Sequence, residues 1–174
     1  PTHRNLLEVG SGTGQHAVFF SSHFPHLQWT PTDTKENLSG IQLWLEEYTG
    51  NNIEKPVEFE VGKDVFPSTA PYDICFTANT LHIMAWEKVV QLIQLWGENL
   101  PSQAILILYG PFNYAGGFTS ESNEKFNEWL LEKYPDGGIR DFEAIDQNLK
   151  DQSFKFLGDV GMPANNRILV YQKN

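Results

Sequence analysis

Three glycines, Gly10, Gly12 and Gly14, follow directly on an apolar segment that carries one acid, Glu8. Glycines at such a turn permit positive φ angles and remove the Cβ atoms that would keep backbone N–H groups away from a ligand. The pattern therefore predicts a nucleotide-like cofactor site built from these glycines and Ser11. A tight strand-to-helix turn without a ligand would explain the glycines alone, but it would not explain the acid.

Glu8 favours one class of cofactor. A carboxylate aimed at this crevice would repel a pyrophosphate, whereas it would attract the ammonium group of S-adenosyl-L-methionine, usually through ordered water. A dinucleotide site would also require the pattern Gly-x-Gly-x-x-Gly, but here the third glycine comes one position early and is followed by Gln15. We therefore expect an S-adenosyl-L-methionine site, with a nicotinamide site as the alternative.

The hydrophobic pattern predicts the elements that position this turn. Alternating strand and helix patterns are followed by two strands with no helix between them, which predicts an α/β fold with a mostly parallel sheet and one antiparallel strand. By analogy with Rossmann-like methyltransferases, we expect the strand order 3-2-1-4-5-7-6. The predicted strands are 6–9, 27–32, 57–61, 72–78, 104–109, 154–157 and 168–171, and the predicted helices are 15–24, 35–48, 86–100, 126–134 and 141–149, the last with Asp141 as N-cap.

Acidic residues follow two of the predicted strands, and ligands of such sheets lie beyond the carboxyl ends of the strands. Asp33 closes the second strand, where its carboxylate could accept both ribose hydroxyls; its alternative role is to cap the next helix. Either Glu60-Val61 or Asp64-Val65 would lie beside the adenine, with the carboxylate accepting from the exocyclic amine. The sequence leaves this choice open.

Candidate catalytic residues follow the fourth and fifth strands. Transfer of a sulfonium methyl group requires a nucleophile that is held in line and kept unprotonated. The Asn79 amide could orient a substrate N–H or O–H, and His82 could take a proton near neutral pH, although a lone histidine after a strand is often structural. Tyr109 ends the fifth strand and is a third candidate.

Candidate substrate contacts lie on two loops. Asn113 and Tyr114 are on the loop that leaves the fifth strand, where substrate contacts are common and packing is the alternative. Asn165 and Asn166 follow the sixth strand, so they would reach the substrate side if that strand runs parallel to the others. Consecutive asparagines are also ordinary turn formers.

Composition limits the partners. The formal net charge of −10 argues against nucleic acid, and no apolar run approaches the length of a membrane span, so we expect a small-molecule substrate and a cytoplasmic protein. The five histidines lack zinc-site spacing, and Cys75, the single cysteine, lies in an apolar segment and is expected to be buried.

We expect residues 1–174 to form one domain, with an N-terminal leader missing before Pro1. The oligomeric state stays open.

Five segments together resemble one family, namely residues 6–16 (LLEVGSGTGQH), 78–83 (ANTLHI), 109–112 (YGPF), 138–141 (GIRD) and 162–166 (MPANN). This is the uncharacterised class I S-adenosylmethionine-dependent methyltransferase-like family that includes methyltransferase-like protein 26, and the resemblance spans nearly the whole chain. It implies a Rossmann-like fold that binds S-adenosyl-L-methionine, with no established substrate. The family usually has Asp-Val shortly before Trp-Pro, whereas this chain has Glu60-Val61 before Phe66-Pro67.

The leading hypothesis is therefore methyl transfer from S-adenosyl-L-methionine to an unidentified small-molecule acceptor. Two alternatives are kept. One is a regulatory module that binds the cofactor without turnover, and the other is a nicotinamide-dependent reductase.

Overall fold

The structure, a computed structural model, describes residues 3–68 and 70–174 of the chain. The strands are β1 (Asn5–Val9), β2 (Gln28–Asp33), β3 (Val57–Glu58), β4 (Ile74–Ala78), β5 (Ile105–Gly110), β6 (Phe112–Asn113), β7 (Arg140–Asp141), β8 (Phe154–Gly161) and β9 (Arg167–Lys173). The helices are α1 (Gln15–His23), α2 (Lys35–Glu46), α3 (Trp86–Asn99), α4 (Glu121–Lys133) and α5 (Phe142–Asp151), with a 3-10 turn at Pro163–Asn165.

Seven of these strands form one sheet in the order β3-β2-β1-β4-β5-β9-β8. The pairs from β3 to β5 are parallel, and β9 is antiparallel to both β5 and β8. Counted along this sheet, the order is 3-2-1-4-5-7-6, so the prediction of a Rossmann-like α/β fold with one antiparallel strand is confirmed. The order reverses between β1 and β4, which places a crevice above their carboxyl ends.

Helices bury both faces of the sheet around its centre. Alternate residues of β1 point to opposite faces, so Leu7 packs in the cluster that includes Trp96 of α3, and Leu6 packs in the cluster that includes Ala17 of α1. In β4, residues 75–78 are all buried. They include Cys75, whose predicted burial is confirmed. Parallel strands covered on both faces have this continuous apolar character.

Two local predictions differ from the structure near the site. The strand predicted over 57–61 is only Val57–Glu58, because the chain turns at Glu60, whose carbonyl accepts from the N–H groups of Lys63 and Asp64 at 3.0 Å each. The segment predicted as a loop after the fifth strand contains β6, which pairs with β7 in a separate parallel ladder. Two-residue strands have no periodic pattern, so local sequence analysis cannot find them.

The helix starts in the second half of the chain are capped differently from one another. The Ser120 hydroxyl accepts from the N–H of Asn123 at 3.1 Å, so α4 begins with a side-chain cap. Asp141 occupies the N-cap position of α5 as predicted, but its side chain forms no cap hydrogen bond. None of the helices in the described parts of the chain combines the length and the apolar character that a membrane crossing needs.

Candidate cofactor and substrate pocket

A pocket of about 630 Å³ lies at the carboxyl edge of the sheet. Its volume falls within the range of roughly 300–1,000 Å³ that is usual for small-molecule sites. One side is formed by the turn after β1 and by the residues that follow β2 and β3. The other side is formed by residues 78–80 and 83–85 at and after the end of β4, and by residues 133–137 at the end of α4. The pocket therefore coincides with the crevice that the strand order creates.

The turn after β1 brings backbone close to the neighbouring strands. The N–H groups of Gly10 and Ser11 both donate to the Thr32 carbonyl, at 3.0 and 2.9 Å. Gly10 has φ of 75°, and a Cβ atom there would lie 2.3 Å from the Thr80 hydroxyl oxygen. Gly12 has φ of 60° with no atom within 4 Å of a Cβ position, so this residue faces open space at the pocket. Glycine is required at Gly10 for both conformation and space.

Asp33 joins the end of β2 to this turn and lines the pocket. Its carboxylate is 8% exposed, and one oxygen, Oδ2, accepts from the Gly12 N–H at 2.7 Å. The other oxygen, Oδ1, accepts from the Thr34 N–H at 2.7 Å and from the Asn37 amide at 2.8 Å. The N-cap position of α2 belongs to Thr34 and has no side-chain cap bond. Asp33 therefore does not occupy the N-cap position of α2, which was its alternative predicted role.

Glu8 does not reach the pocket surface, contrary to the sequence-based expectation. Its side chain is completely buried, and Oε2 accepts from the Trp29 indole N–H at 2.8 Å and from the Ser11 hydroxyl at 2.9 Å. Burial, the largest effect, raises the pKa of Glu8 to about 7. The side chain shares a sheet face with its register partner Phe76, beneath α1, because strand side chains alternate. Glu8 and Ser11 thus support the glycine turn from below.

One atom of this buried carboxylate has no partner within the described residues. Glu8 Oε1 forms no hydrogen bond, and the nearest basic atom is His16 Nδ1 at 3.9 Å. Buried acceptors are normally satisfied by protein, water or ligand. A contact between Glu8 and a ligand ammonium group, direct or through water, stays a prediction.

Beyond β3, Glu60 and Val61 line the pocket. The Glu60 carboxylate forms ion pairs with Lys63 at 2.8 Å and Lys88 at 3.2 Å, which lower its pKa. Asp64 does not line the pocket, because its carboxylate turns back and accepts from the Glu60 N–H at 2.7 Å. Of the two acids that the sequence left open for adenine, geometry favours Glu60.

After β4, Asn79 lines the pocket, whereas His82 does not. Asn79 has φ of 55°, and its N–H donates to the Tyr109 carbonyl at 2.9 Å. His82 is 6% exposed, and burial, reinforced by the charge of Arg140, lowers its pKa to about 4. Neither its position nor its lowered pKa supports the expectation that His82 takes a proton near neutral pH, and that role stays a prediction. A neutral imidazole with this pKa is a weak base.

Three further predicted residues, Tyr109, Asn113 and Tyr114, lie outside the pocket lining. Tyr109 packs against the cluster that contains Phe76. The Tyr114 hydroxyl donates to the Asp159 carboxylate at 2.6 Å, and its ring stacks on Phe142. Asn113 is buried in β6, and its Oδ1 has no hydrogen-bond partner among the described residues. None of these three side chains lines the pocket, so their contact with substrate stays a prediction.

Asn165 and Asn166 lie on the turn between β8 and β9. Because β8 runs parallel to the central strands, this turn is on the carboxyl side of the sheet, as expected. The Asn165 amide donates to the Ser122 hydroxyl at 3.0 Å, and the Asn166 amide donates to the Pro163 carbonyl at 3.3 Å. Neither residue lines the pocket, so their contact with substrate stays a prediction.

Sequence reasoning missed an entire wall of the pocket, residues 133–137 (KYPDG). This segment follows α4 and lies opposite the turn after β1 only in the folded chain. The sequence signal next to it is the motif at residues 138–141, which is one of the five segments that resemble the methyltransferase-like family. No group of three or more His, Cys, Asp or Glu side chains that could hold a metal occurs in residues 3–68 and 70–174.

Comparison with known families places the chain. The family model described as "Protein of unknown function (DUF938)" matches residues 1–173. The chain belongs to the DUF938 family. No activity follows from that description alone.

The proteins that this DUF938 protein resembles are named as methyltransferases, and the chain spans only about half of their length or less. Trans-resveratrol di-O-methyltransferase of Vitis vinifera is 24% identical over 155 residues, which include 86% of this chain but only 40% of that protein. An O-methyltransferase family protein from Burkholderia thailandensis superposes with a TM-score of 0.88 at 13% identity, over 99% of this chain and 52% of that one. Human N-acetylserotonin methyltransferase in complex with SAM superposes with a TM-score of 0.83 at 17% identity, over 99% of this chain and 48% of that one. The structural likenesses show the fold.

The two candidate adenine acids of the DUF938 protein can be separated by paired amide variants. We expect Glu60→Gln to weaken binding of S-adenosylhomocysteine by about three- to tenfold, because a charged acceptor in the pocket is lost while the neighbouring lysines screen part of its effect. Asp64→Asn should lower stability slightly and leave the affinity within about twofold, because its carboxylate faces the backbone. Calorimetric titration of both variants makes the comparison, and the reverse ranking would assign adenine to Asp64.

Proposed function

We propose that this DUF938 protein transfers a methyl group from S-adenosyl-L-methionine to a small-molecule acceptor. The observation that carries the proposal is the Asp33 carboxylate, which lines the pocket and is hydrogen-bonded to the glycine turn at the point where the strand order reverses. The fold shared with methyltransferases and the resemblance to the methyltransferase-like protein 26 family support it.

The residues present fit this cofactor. The open backbone at Gly12 could receive the methionine portion, Asp33 could accept the ribose hydroxyls, and Glu60 and Val61 could hold the adenine. The unpartnered Glu8 Oε1 provides a buried acceptor behind the same turn. An acid after β2 would suit the ribose of either cofactor, but the third glycine comes one position early for a dinucleotide site, which disfavours the nicotinamide alternative.

When bound, S-adenosyl-L-methionine supplies an electrophilic sulfonium methyl group. The task of the protein is then to exclude water and to hold the acceptor atom in line, because such a displacement depends on orientation more than on acid chemistry. Asn79 is the predicted catalytic residue that lines the pocket, and its amide could orient an acceptor O–H or N–H. The O-methyltransferase names of several relatives support an oxygen nucleophile.

Calorimetric titration followed by a transfer assay tests the proposal. The protein should bind S-adenosyl-L-methionine and S-adenosylhomocysteine but not NADH, and it should transfer label from a tritiated methyl donor into a component of a small-molecule cell extract. Absence of heat and of thermal stabilisation at donor concentrations on the order of millimolar would contradict the proposal. Binding of NADH alone would favour the reductase.

A second candidate function is cofactor binding without turnover. The observation that favours it is the position of His82 and Tyr109, which do not line the pocket and leave it without a histidine or tyrosine base from the predicted set. Tight donor binding with no transfer across amine, hydroxyl and thiol acceptors would support this alternative over the enzyme.

A variant of Asn79 separates positioning of the acceptor from binding of the donor. Asn79→Gly is the informative change, because alanine in the left-handed conformation would add about 1 kcal/mol of backbone strain. We expect turnover to fall by about tenfold or more while donor affinity changes less than about threefold, since only the amide is lost. Asn51→Gly is the matched control, because Asn51 is exposed and outside the pocket lining, and it should retain both quantities. A larger loss of donor affinity than of turnover would make Asn79 a cofactor residue.

A further inference from the structure

The two walls of the pocket that sequence reasoning did not connect are joined by one side chain, Arg140. The first wall, called here the β4–α3 segment, is residues 79–85. The second, called here the α4–β7 segment, is residues 134–139. Both contribute to the pocket lining, and Arg140 follows the second segment directly.

The guanidinium of Arg140 is bonded to carbonyl groups of both segments. Its Nε donates to the Leu81 carbonyl at 3.0 Å, and its Nη2 donates to the Met84 carbonyl and, at 3.3 Å, to the Asp136 carbonyl. The group also lies over the Trp86 ring, 5.8 Å from its centroid. A planar guanidinium presents five N–H donors in fixed directions, so it can bridge several carbonyls that a lysine could not reach together.

This arrangement differs from an ordinary ion pair. Among the described residues, no carboxylate approaches the Arg140 nitrogens within salt-bridge distance, although the charge of Glu87 acts on it from farther away. Charged hydrogen bonds to neutral carbonyls are stronger than neutral ones, so the cation is used to hold backbone.

Backbone contacts tighten the same junction. The Gly138 N–H donates to the His82 carbonyl at 2.8 Å, and a Cβ atom at Gly137 would lie 2.8 Å from that carbonyl oxygen. The Ile139 N–H donates to the Asn127 side chain at 2.8 Å, which ties the α4–β7 segment to its helix. The motif of residues 138–141 therefore forms a junction between the two walls.

We propose that Arg140 is a positioning residue, which holds the β4–α3 and α4–β7 segments at the spacing that binds the adenosyl ligand. The part concerning the ligand rests on the proposed function. The part concerning the two walls does not, because it can be measured in the protein without any ligand.

The test uses Arg140→Lys, which keeps the charge and loses the planar donor set. Hydrogen exchange without ligand should increase in peptides covering both segments, including the Gly138 amide, and the affinity for S-adenosylhomocysteine should fall by about tenfold. Arg167→Lys is the matched control, because Arg167 pairs with Asp159 outside the pocket lining. It should leave exchange in both segments and the affinity unchanged. Arg140→Ala should regain affinity, by about threefold or more, on addition of methylguanidinium at low millimolar concentration.

Unchanged exchange in either segment of Arg140→Lys would overturn the proposal, as would an affinity within about twofold of wild type. If the wild-type protein itself does not bind S-adenosylhomocysteine, the proposed function fails, and the exchange measurement still decides the role of Arg140.

Discussion

Replacement of Asp33 by alanine is expected to lower the affinity for S-adenosylhomocysteine by about a hundredfold or more. The variant removes a charged acceptor whose Oδ2 has one position left for a ribose hydroxyl beside the Gly12 N–H, and a charge-assisted hydrogen bond there is worth roughly 1.5–3 kcal/mol. It also removes the acceptor of the Gly12 N–H, so the glycine turn loses its tie to β2. Isothermal titration calorimetry of wild type and variant measures the effect.

Controls separate lost ligand contacts from lost stability. Asp33→Asn keeps an acceptor oxygen and should fall between wild type and alanine. Asp64→Ala is the matched aspartate control, because its carboxylate also accepts a backbone N–H but does not line the pocket. Thermal melts show whether each variant is folded at the titration temperature. An Asp33→Ala protein that is folded and binds as tightly as wild type would remove Asp33 from the site.

A variant of Glu8 is expected to change how stability depends on pH. Burial raises the pKa of Glu8 from 4.5 to about 7 in the folded protein. Between pH 4.5 and about 7, Glu8 is therefore protonated in the folded protein and ionised in the unfolded chain. The contribution of Glu8 to stability is complete below pH 4.5 and is lost as the pH rises through about 7. The shift corresponds to roughly 3 kcal/mol.

Glu8→Gln imitates the protonated acid and cannot titrate. We expect wild type to lose about 3 kcal/mol more than Glu8→Gln between pH 4.5 and 7.5 in urea unfolding. The lowered pKa of the neighbouring His16 acts in the opposite direction, but it is present in both proteins and largely cancels. Glu121→Gln changes a side chain that is 79% exposed and should leave the wild-type profile in place. Parallel profiles for wild type and Glu8→Gln would show that folding does not raise the pKa of Glu8.

The same pair of proteins tests the contact between Glu8 and the ligand ammonium group. If the charged carboxylate attracts the ammonium, affinity for S-adenosylhomocysteine should increase with pH through about 7 in wild type and should not do so in Glu8→Gln. Equal pH dependence in both would restrict Glu8 to support of the glycine turn through Ser11.

Local patterns were sufficient to predict the sheet. The apolar runs around Leu7, Cys75 and Leu106 mark parallel strands buried on both faces, and the absence of a helix pattern between the last two strands required one of them to be antiparallel. Patterns failed where elements have only two residues. Phe112 of β6 and Arg140 of β7 pair across 28 positions of the chain, and nothing local to either predicts the other.

The candidate site was predictable where a residue's position follows from a strand end. Gly12, Asp33 and Asn79 line the pocket for that reason. The orientation of a side chain was harder to predict. Glu8 lies in β1, which leads into the glycine turn, but its side chain faces α1 together with Trp29 and Phe76. The wall at residues 133–137 meets the β4–α3 segment through long-range contacts, among them that of Arg140 with the Leu81 carbonyl, so spacing within the wall does not indicate it.

The central claim is that the pocket between the glycine turn and residues 133–137 binds S-adenosyl-L-methionine. A crystal structure of the protein with S-adenosylhomocysteine tests it most directly. We predict ribose hydroxyl oxygens about 3 Å from the Asp33 carboxylate and the adenine beside Val61. Ligand bound elsewhere, or a pocket empty of ligand at saturating concentration, would contradict the account.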